Sequence, residues 1–296
     1  MGKLVRTISH EGGVICIAVD STDAIAKMEQ VHKTSAVITA AEGRLLTAAS
    51  IMGTLLKSKD DSITLRMEGN GPVGHLIAVS DGSGNVKGYM TNPVVELPLN
   101  SKGKLDVAGA VGNDGFLYVI RDMGMKEPYI GQVPIVSGEI AEDITSYYAI
   151  SEQIPTVCGL GVLVDQDLSV KAAGGFLVQL LPGATDEEID RLEANINSLK
   201  PVSQMIEEGM TPQEIAFKVL EGFEPELLDE YDMGYVCDCC RDRVERALIS
   251  IGKTELLKMA EEEEQVEVGC QFCDKKYVFT RHQLKQLGKD SVPSPS

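Results

Sequence analysis

Cys237, Cys239, Cys270 and Cys273 fall into a C-x-C pair and a C-x-x-C pair separated by thirty residues. Each pair is short enough for one turn to aim both sulfurs at a common point. Together they supply the four thiolates that a closed tetrahedral zinc site requires, with one zinc expected in the reduced state. The same sulfurs, once oxidised, could instead close into disulfides. Spacing alone favours a permanently reduced zinc ribbon. Cys240 extends the first pair to Cys-Asp-Cys-Cys. It could replace a neighbour as ligand, or sit as a spare thiol at the N-terminus of the following helix, where the helix dipole lowers a thiol pKa. The ligands are assigned as Cys237, Cys239, Cys270 and Cys273.

Elsewhere the residues carry little chemistry. Cys16 and Cys158 stand alone inside apolar strands and read as small buried hydrophobes. His10, His32, His75 and His282 are scattered, with no Ser, Asp or Glu at a catalytic spacing, so no enzyme activity is expected. His282, nine residues past Cys273, is the one substitute zinc ligand on offer, and a surface role suits it better. Gly69-Asn70-Gly71-Pro72-Val73-Gly74 matches G-x-G-x-x-G, but a dinucleotide site needs a helix next. Here Pro72 removes a donor and His75 to Val79 reads as a strand, so the motif is a turn between strands.

The cysteine module must be held up by what surrounds it. Residues 1–182 read as an N-terminal α+β core. Strand signals run over Leu4–Ile8, Val14–Val19, Ile63–Met67, His75–Val79, Val86–Met90, Leu105–Val111, Phe116–Arg121, Tyr129–Val136, Val157–Val164 and Val170–Gln179. Gly112-Asn113-Asp114-Gly115 looks like a hairpin turn. Helices are predicted over Asp23–Lys33, Ser35–Lys57 and Ile140–Gln153. Consecutive strands favour antiparallel sheets with packed helices over a doubly wound fold.

Residues 183–234 read as a helical connector whose order depends on docking. Thr185 to Glu188 and Thr211 to Glu214 are capping boxes, and Ile189, Leu192, Ile196 and Leu199 share one face. Such acidic helices with narrow apolar faces are marginal alone and need a surface to lie on. Residues 235–288 form a small C-terminal module: a helix over Arg241–Ile251, a second capped by Thr254, a hairpin around the C-x-x-C, and a last helix from Thr280 to Gly288. So short a module cannot bury much core, and a metal cross-link is a physical necessity for it. Residues 289–296 read as a disordered tail.

The net charge of −18 argues against nucleic-acid binding, which draws on Lys and Arg. Residues 237–285 carry nine Lys and Arg against ten Asp and Glu, so a nucleic-acid zinc ribbon lacks its basic footprint. No signal-peptide pattern opens the chain and no apolar run reaches membrane-spanning length, so a cytoplasmic protein without membrane contact is expected. A catalytic C-x-x-C dithiol usually needs a βαβ setting, whereas this one lies in a hairpin.

The C-x-C, thirty-residue, C-x-x-C arrangement at the end of such a chain resembles the heat shock protein 33 family of redox-regulated chaperones. The resemblance extends to Ser151-Glu152-Gln153-Ile154-Pro155-Thr156, to Ala173 through Pro182, and to Gly69-Asn70-Gly71-Pro72. It implies an ATP-independent holdase, inactive while the four cysteines hold zinc. Oxidation, by resemblance, forms Cys237–Cys239 and Cys270–Cys273 disulfides and releases zinc. The module and connector then unfold, exposing surface to unfolding client proteins, with a homodimer as the active form. Cys240 departs from the simplest family pattern.

Overall fold

The computed structural model describes residues 1–290 and separates into two units, Met1–Val236 and the residues from Cys237 onward. Alternation along the strands decides what the first unit buries on each side. One sheet contains β1 (Gly2–Ile8), β2 (Val14–Asp20), β8 (Thr156–Val164), β9 (Val170–Leu180) and β10 (Glu226–Met233), in the order β10-β1-β2-β9-β8. The other contains β3 (Ser62–Glu68), β4 (His75–Asp81), β5 (Val86–Met90), β6 (Phe116–Asp122) and β7 (Tyr129–Pro134), in the order β5-β4-β3-β6-β7. Every neighbouring pair is antiparallel, as the run of consecutive strands predicts.

After β2 come α1 (Thr22–His32) and α2 (Ala36–Gly53). A helix apolar on all sides has to be surrounded, and sixteen of the eighteen α2 residues are buried. It packs on β8 and β9 of the first sheet and on β3, β4 and β5 of the second. Small residues allow that approach: a Cβ on Gly53 would collide with Ser80 Oγ and the Asp81 carbonyl. Glu42 is the exception in this helix, with both carboxyl oxygens buried and without a hydrogen-bond partner. Burial holds its pKa well above the ordinary carboxylate value, favouring the neutral form.

The predicted strand over Leu105–Val111 is instead a short helix, α3 (Val107–Val111), capped by Asp106, whose Oδ1 accepts from the Gly109 N–H at 3.1 Å. Val107, Ala110 and Val111 are its buried face, an i, i+3, i+4 set that a five-residue apolar run cannot distinguish from a strand. Gly112 to Gly115 therefore join a helix to β6 and are not a hairpin turn. The glycines of the G-x-G-x-x-G stretch serve this docking. Gly71 N–H and Val73 N–H donate to Val111 O (2.9 Å) and Ala110 O (3.1 Å), and a Cβ on Gly69 would strike Val111 O. α4 (Ala141–Tyr147) continues into a π-helical turn at Tyr148–Glu152. Its buried Asp143 accepts from the backbone N–H groups of Val136, Ser137, Gly138 and Ile140 at 2.7–3.1 Å.

The outer face of the first sheet is covered by α5 (Asp186–Ser198), α6 (Val202–Glu207) and α7 (Pro212–Val219). Val5, Val14, Cys16, Ala18, Phe176 and Val178 of the sheet bury against Leu192, Met205, Ile215, Val219 and Leu220. Each of the Val, Leu, Ile, Met and Phe side chains among them contributes about 1.5–3 kcal/mol on burial, which gives these narrow helices the surface they lack alone. Both capping boxes form, Thr185 with Glu188 and Thr211 with Glu214. Residues 183–234 are not wholly helical, however: β10 pairs antiparallel with β1, with a bulge at Arg6/Thr7. Its acidic sequence, poor in β-branched residues, hides it. Cross-strand charge holds it, Lys3 Nζ lying 2.7 Å from Glu230 and 2.9 Å from Asp232, with Arg6 paired to Asp229.

The second unit holds α8 (Arg241–Ser250), α9 (Lys253–Glu262), the hairpin β11 (Gln265–Gly269) and β12 (Lys276–Thr280), and α10 (Arg281–Asp290). Its buried core is Leu248, Leu256, Ala260, Phe279 and Leu284, and the Arg241 guanidinium lies over the Phe279 ring, 4.4 Å from its centroid. Gly252, with φ of 94°, caps α9, so Thr254 lies inside the helix and not at its cap. The Thr280–Gln283 capping box forms, Gln283 Oε1 accepting from Thr280 N–H at 2.9 Å. α10 runs two residues past Gly288. Of the tail predicted to be disordered, Lys289 and Asp290 belong to this helix, and residues 291–296 lie outside the described residues.

Candidate metal centre

Cys237 and Cys239 lie on the chain leading into α8, and Cys270 and Cys273 on the turn between β11 and β12. That turn is closed by the Gly269–Lys276 pair and by the Cys270 N–H donating to Lys275 O at 3.0 Å. The four sulfurs all lie within 4.8 Å of one another, with Cys237 Sγ 3.7 Å from Cys270 Sγ and Cys239 Sγ 3.5 Å from Cys273 Sγ. A disulfide would bring sulfurs to about 2.05 Å, and all four are free. Sulfurs held tetrahedrally at about 2.3 Å from a shared ion stand about 3.8 Å apart. The spacing therefore fits four thiolates around one ion, and the all-sulfur donor set fits zinc. Among the described residues, no other group of three or more His, Cys, Asp or Glu is gathered this closely.

Two influences act on these thiols. Burial pushes Cys237 up to about 12 and raises Cys273. Burial also works to raise Cys239, but hydrogen bonds from Tyr277 and the other thiols outweigh it and bring Cys239 down to about 7. The Tyr277 hydroxyl donates to Cys239 Sγ at 3.2 Å. Tyr277 is absent from any reading of the cysteine spacing. The only sequence signal is its place four residues after Cys273, on the strand that leaves the turn.

Cys240 stands outside the cluster. It is exposed, in extended backbone at the N-cap of α8, and its side chain makes no capping bond. His282 is exposed in the first turn of α10. His10 lies against Glu226, His75 against Glu68, and His32 against Tyr235. Cys16 is fully buried and Cys158 half-buried. Burial raises both thiols, Cys158 to about 12, which leaves them unreactive while covered.

Comparison with known proteins agrees with this arrangement. The sequence model of the family described as Hsp33 protein matches residues 2–280. The chain is 46% identical to the 33 kDa chaperonin of Clostridioides difficile over 287 residues, 97% of this chain and 98% of that protein. It is 43% identical to the 33 kDa chaperonin of Enterococcus faecalis, over 98% of this chain and 97% of that protein. The crystal structure of the 33 kDa chaperonin (heat shock protein 33 homolog) from Thermotoga maritima aligns with a TM-score of 0.89 at 38% identity, covering 97% of this chain and 98% of that one. A four-thiol centre in a small C-terminal unit, an α+β first unit and these matches along nearly the whole length place the chain in the Hsp33 family of chaperones.

Proposed function

We propose that the protein is a redox-regulated, ATP-independent holdase that binds unfolding proteins under oxidative stress. The observation that carries this reading is the placing of four thiols in one cluster within a unit whose buried core is five side chains. In the reduced state Cys237, Cys239, Cys270 and Cys273 hold one zinc, which keeps the sulfurs deprotonated and cross-links the unit. A structural zinc contributes on the order of 10 kcal/mol or more, which exceeds what so small a core supplies. Two equivalents of peroxide take four electrons from four thiolates, leaving two disulfides, four hydroxides and a freed divalent ion. The disulfides are Cys237–Cys239 and Cys270–Cys273. Sulfurs of opposite pairs stand 3.5 and 3.7 Å apart in the cluster, and the within-pair bonds form as the ion leaves and the pairs part.

The C-terminal unit, residues 235–288, then unfolds, and the connector, residues 183–234, loses its order. The apolar outer face of the first sheet becomes available to client proteins. The N-terminal core, residues 1–182, stays folded, and the active form is a homodimer working in the cytoplasm without nucleic acid, membrane or catalytic turnover. No helix of the described residues is long and apolar enough to cross a membrane.

Aggregation of a thermally unfolded reporter protein, followed with and without peroxide alongside zinc release to a chromogenic chelator, tests the reading. Suppression should appear with oxidant and track zinc loss. Equal suppression in both redox states would leave a permanent zinc ribbon, and turnover of a small disulfide substrate would indicate an oxidoreductase. Peptide mapping of the oxidised protein should recover the two within-pair disulfides.

A further inference from the structure

β10 ends at Met233, and the next three residues cross to the free edge of the second sheet, β5. There Tyr235 forms a parallel bridge with Val86: the Val86 N–H donates to Gly234 O at 2.9 Å and the Val236 N–H donates to Val86 O at 2.8 Å. Two residues further along β5, the Tyr235 hydroxyl donates to Gly88 O at 2.9 Å and accepts from the Gly88 N–H at 3.3 Å. His32 Nε2 lies 3.1 Å from the same hydroxyl oxygen.

By alternation Val86, Gly88 and Met90 turn their backbone groups away from β4, and the added segment reaches the first two of them, at two groups each. All four of those groups are met by Gly234, Tyr235 and Val236. An unpaired strand edge is a template for another chain, and this edge is already used as one. The added strand stops short, however. At Gly88 a phenol hydroxyl does the work of both an N–H and a C=O, where a continuing strand would present true peptide groups. Tyr235 also packs against the main core of the first unit, so the position between the two backbone bonds takes a large apolar or aromatic side chain.

We propose that the β5 edge is a strand-addition site for an extended, apolar segment of an unfolding polypeptide, and that Gly234–Val236 fill it as an internal stand-in. The stand-in ends at the residue before Cys237, so opening of the metal centre frees the chain that holds it. The timing rests on the redox reading above; the edge itself does not. A longer segment gains over the stand-in because it pairs with Gly88 through its own backbone, as peptides do in other strand-addition complexes. Proline at the bonded positions excludes a segment, because the edge needs its N–H.

The test uses the full-length, zinc-loaded chain and a fluorescein-labelled peptide of alternating threonine and valine with a central tyrosine. A second peptide carries proline at alternate positions. Tyr235→Phe combined with Val236→Pro frees the edge under reducing conditions. This variant should bind the first peptide about tenfold or more tighter than reduced wild type, as expected when three of the stand-in's hydrogen bonds no longer compete. Its zinc content should be unchanged and it should ignore the proline peptide. Val86→Pro in the oxidised chain should lose about the same factor, since it removes one outward donor without touching the β4 ladder. Should Val86→Pro fail to fold, amide exchange on the wild type replaces it: the Val86 and Gly88 N–H groups should lose protection on oxidation and regain it with peptide. A freed edge that ignores the peptide, or amides that stay unprotected with peptide bound, overturns the proposal even if oxidised wild type suppresses aggregation. If oxidised wild type fails to suppress aggregation while the freed edge binds, the redox reading falls and the edge stands.

Discussion

The Tyr277 hydroxyl donates to Cys239 Sγ at 3.2 Å, so a neutral side chain on the hairpin stabilises negative charge on a sulfur from the other pair. Burial opposes that charge, and the hydrogen bonds from Tyr277 and the neighbouring thiols still bring Cys239 to about 7. Tyr277→Phe removes the donor and leaves the ring. Zinc affinity at pH 7 should fall about tenfold, the lower end for loss of an outer partner of a metal ligand. Competition with a chromogenic chelator measures it, and an unchanged affinity would show the hydroxyl to be a bystander.

Zinc binding should expel protons. Cys237, pushed up to about 12, and Cys273, raised by burial, hold theirs at neutral pH when no cation competes. A divalent ion has to displace them, so acid opposes binding and apparent affinity climbs with pH across the neutral range. Proton release into a weakly buffered solution, read against zinc added, checks the sign. Binding without proton uptake or release between pH 6 and 8 would mean that the thiols are already ionised.

Ile215 in α7 is fully buried against the outer face of the first sheet, in the same apolar cluster as Cys16. Ile215→Ala should cost about 2–5 kcal/mol of docking. In the reduced, zinc-loaded protein the variant should show partial suppression of client aggregation without oxidant. Cys16 should also react with a maleimide faster than in wild type. A variant that melts earlier with Cys16 still silent would place the weakness elsewhere.

Glu42 sits in the middle of α2 with its carboxyl buried and unpartnered. Its folded pKa lies well above the ordinary value of 4.5, so above pH 4.5 the unfolded chain releases a proton that the folded chain keeps. Stability is then fully present below that pH and is lost at about 1.4 kcal/mol per pH unit until the folded pKa is reached. Glu42→Gln should remove this slope and raise the denaturation midpoint at pH 8 relative to pH 5. Parallel pH dependence in variant and wild type would contradict the assignment.

Where one periodicity governs a segment, the sequence shows the element. The alternating strands of both sheets, α1, α2 and the capping boxes at Thr185, Thr211 and Thr280 are all visible in it. β10 is hidden because its partners, Lys3 and Arg6, lie more than two hundred positions away and its own residues are acidic. Val107–Val111 is hidden because a five-residue apolar run satisfies both periods. The four cysteines announce a common centre by spacing alone, and the resemblance to the heat shock protein 33 family agrees with the comparisons. Tyr277 and Tyr235 do not announce themselves. A tyrosine hydroxyl acquires its role from whatever the fold brings to it, and for Tyr235 that is Gly88, 147 positions away.

The first sheet separates two interiors. Leu4, Ile17 and Val19 look into one and Val5, Cys16 and Ala18 into the other, along the same two strands. Cooperativity is consequently divided: the helices on one side can melt while the backbone ladder, held from the other side by α2, stays in register. Heating should then resolve into more than one transition, and no single unfolding free energy describes the chain. An ordered surface that is adhesive only part of the time needs this division, because a protein with one shared interior would lose its shape in the act of uncovering it.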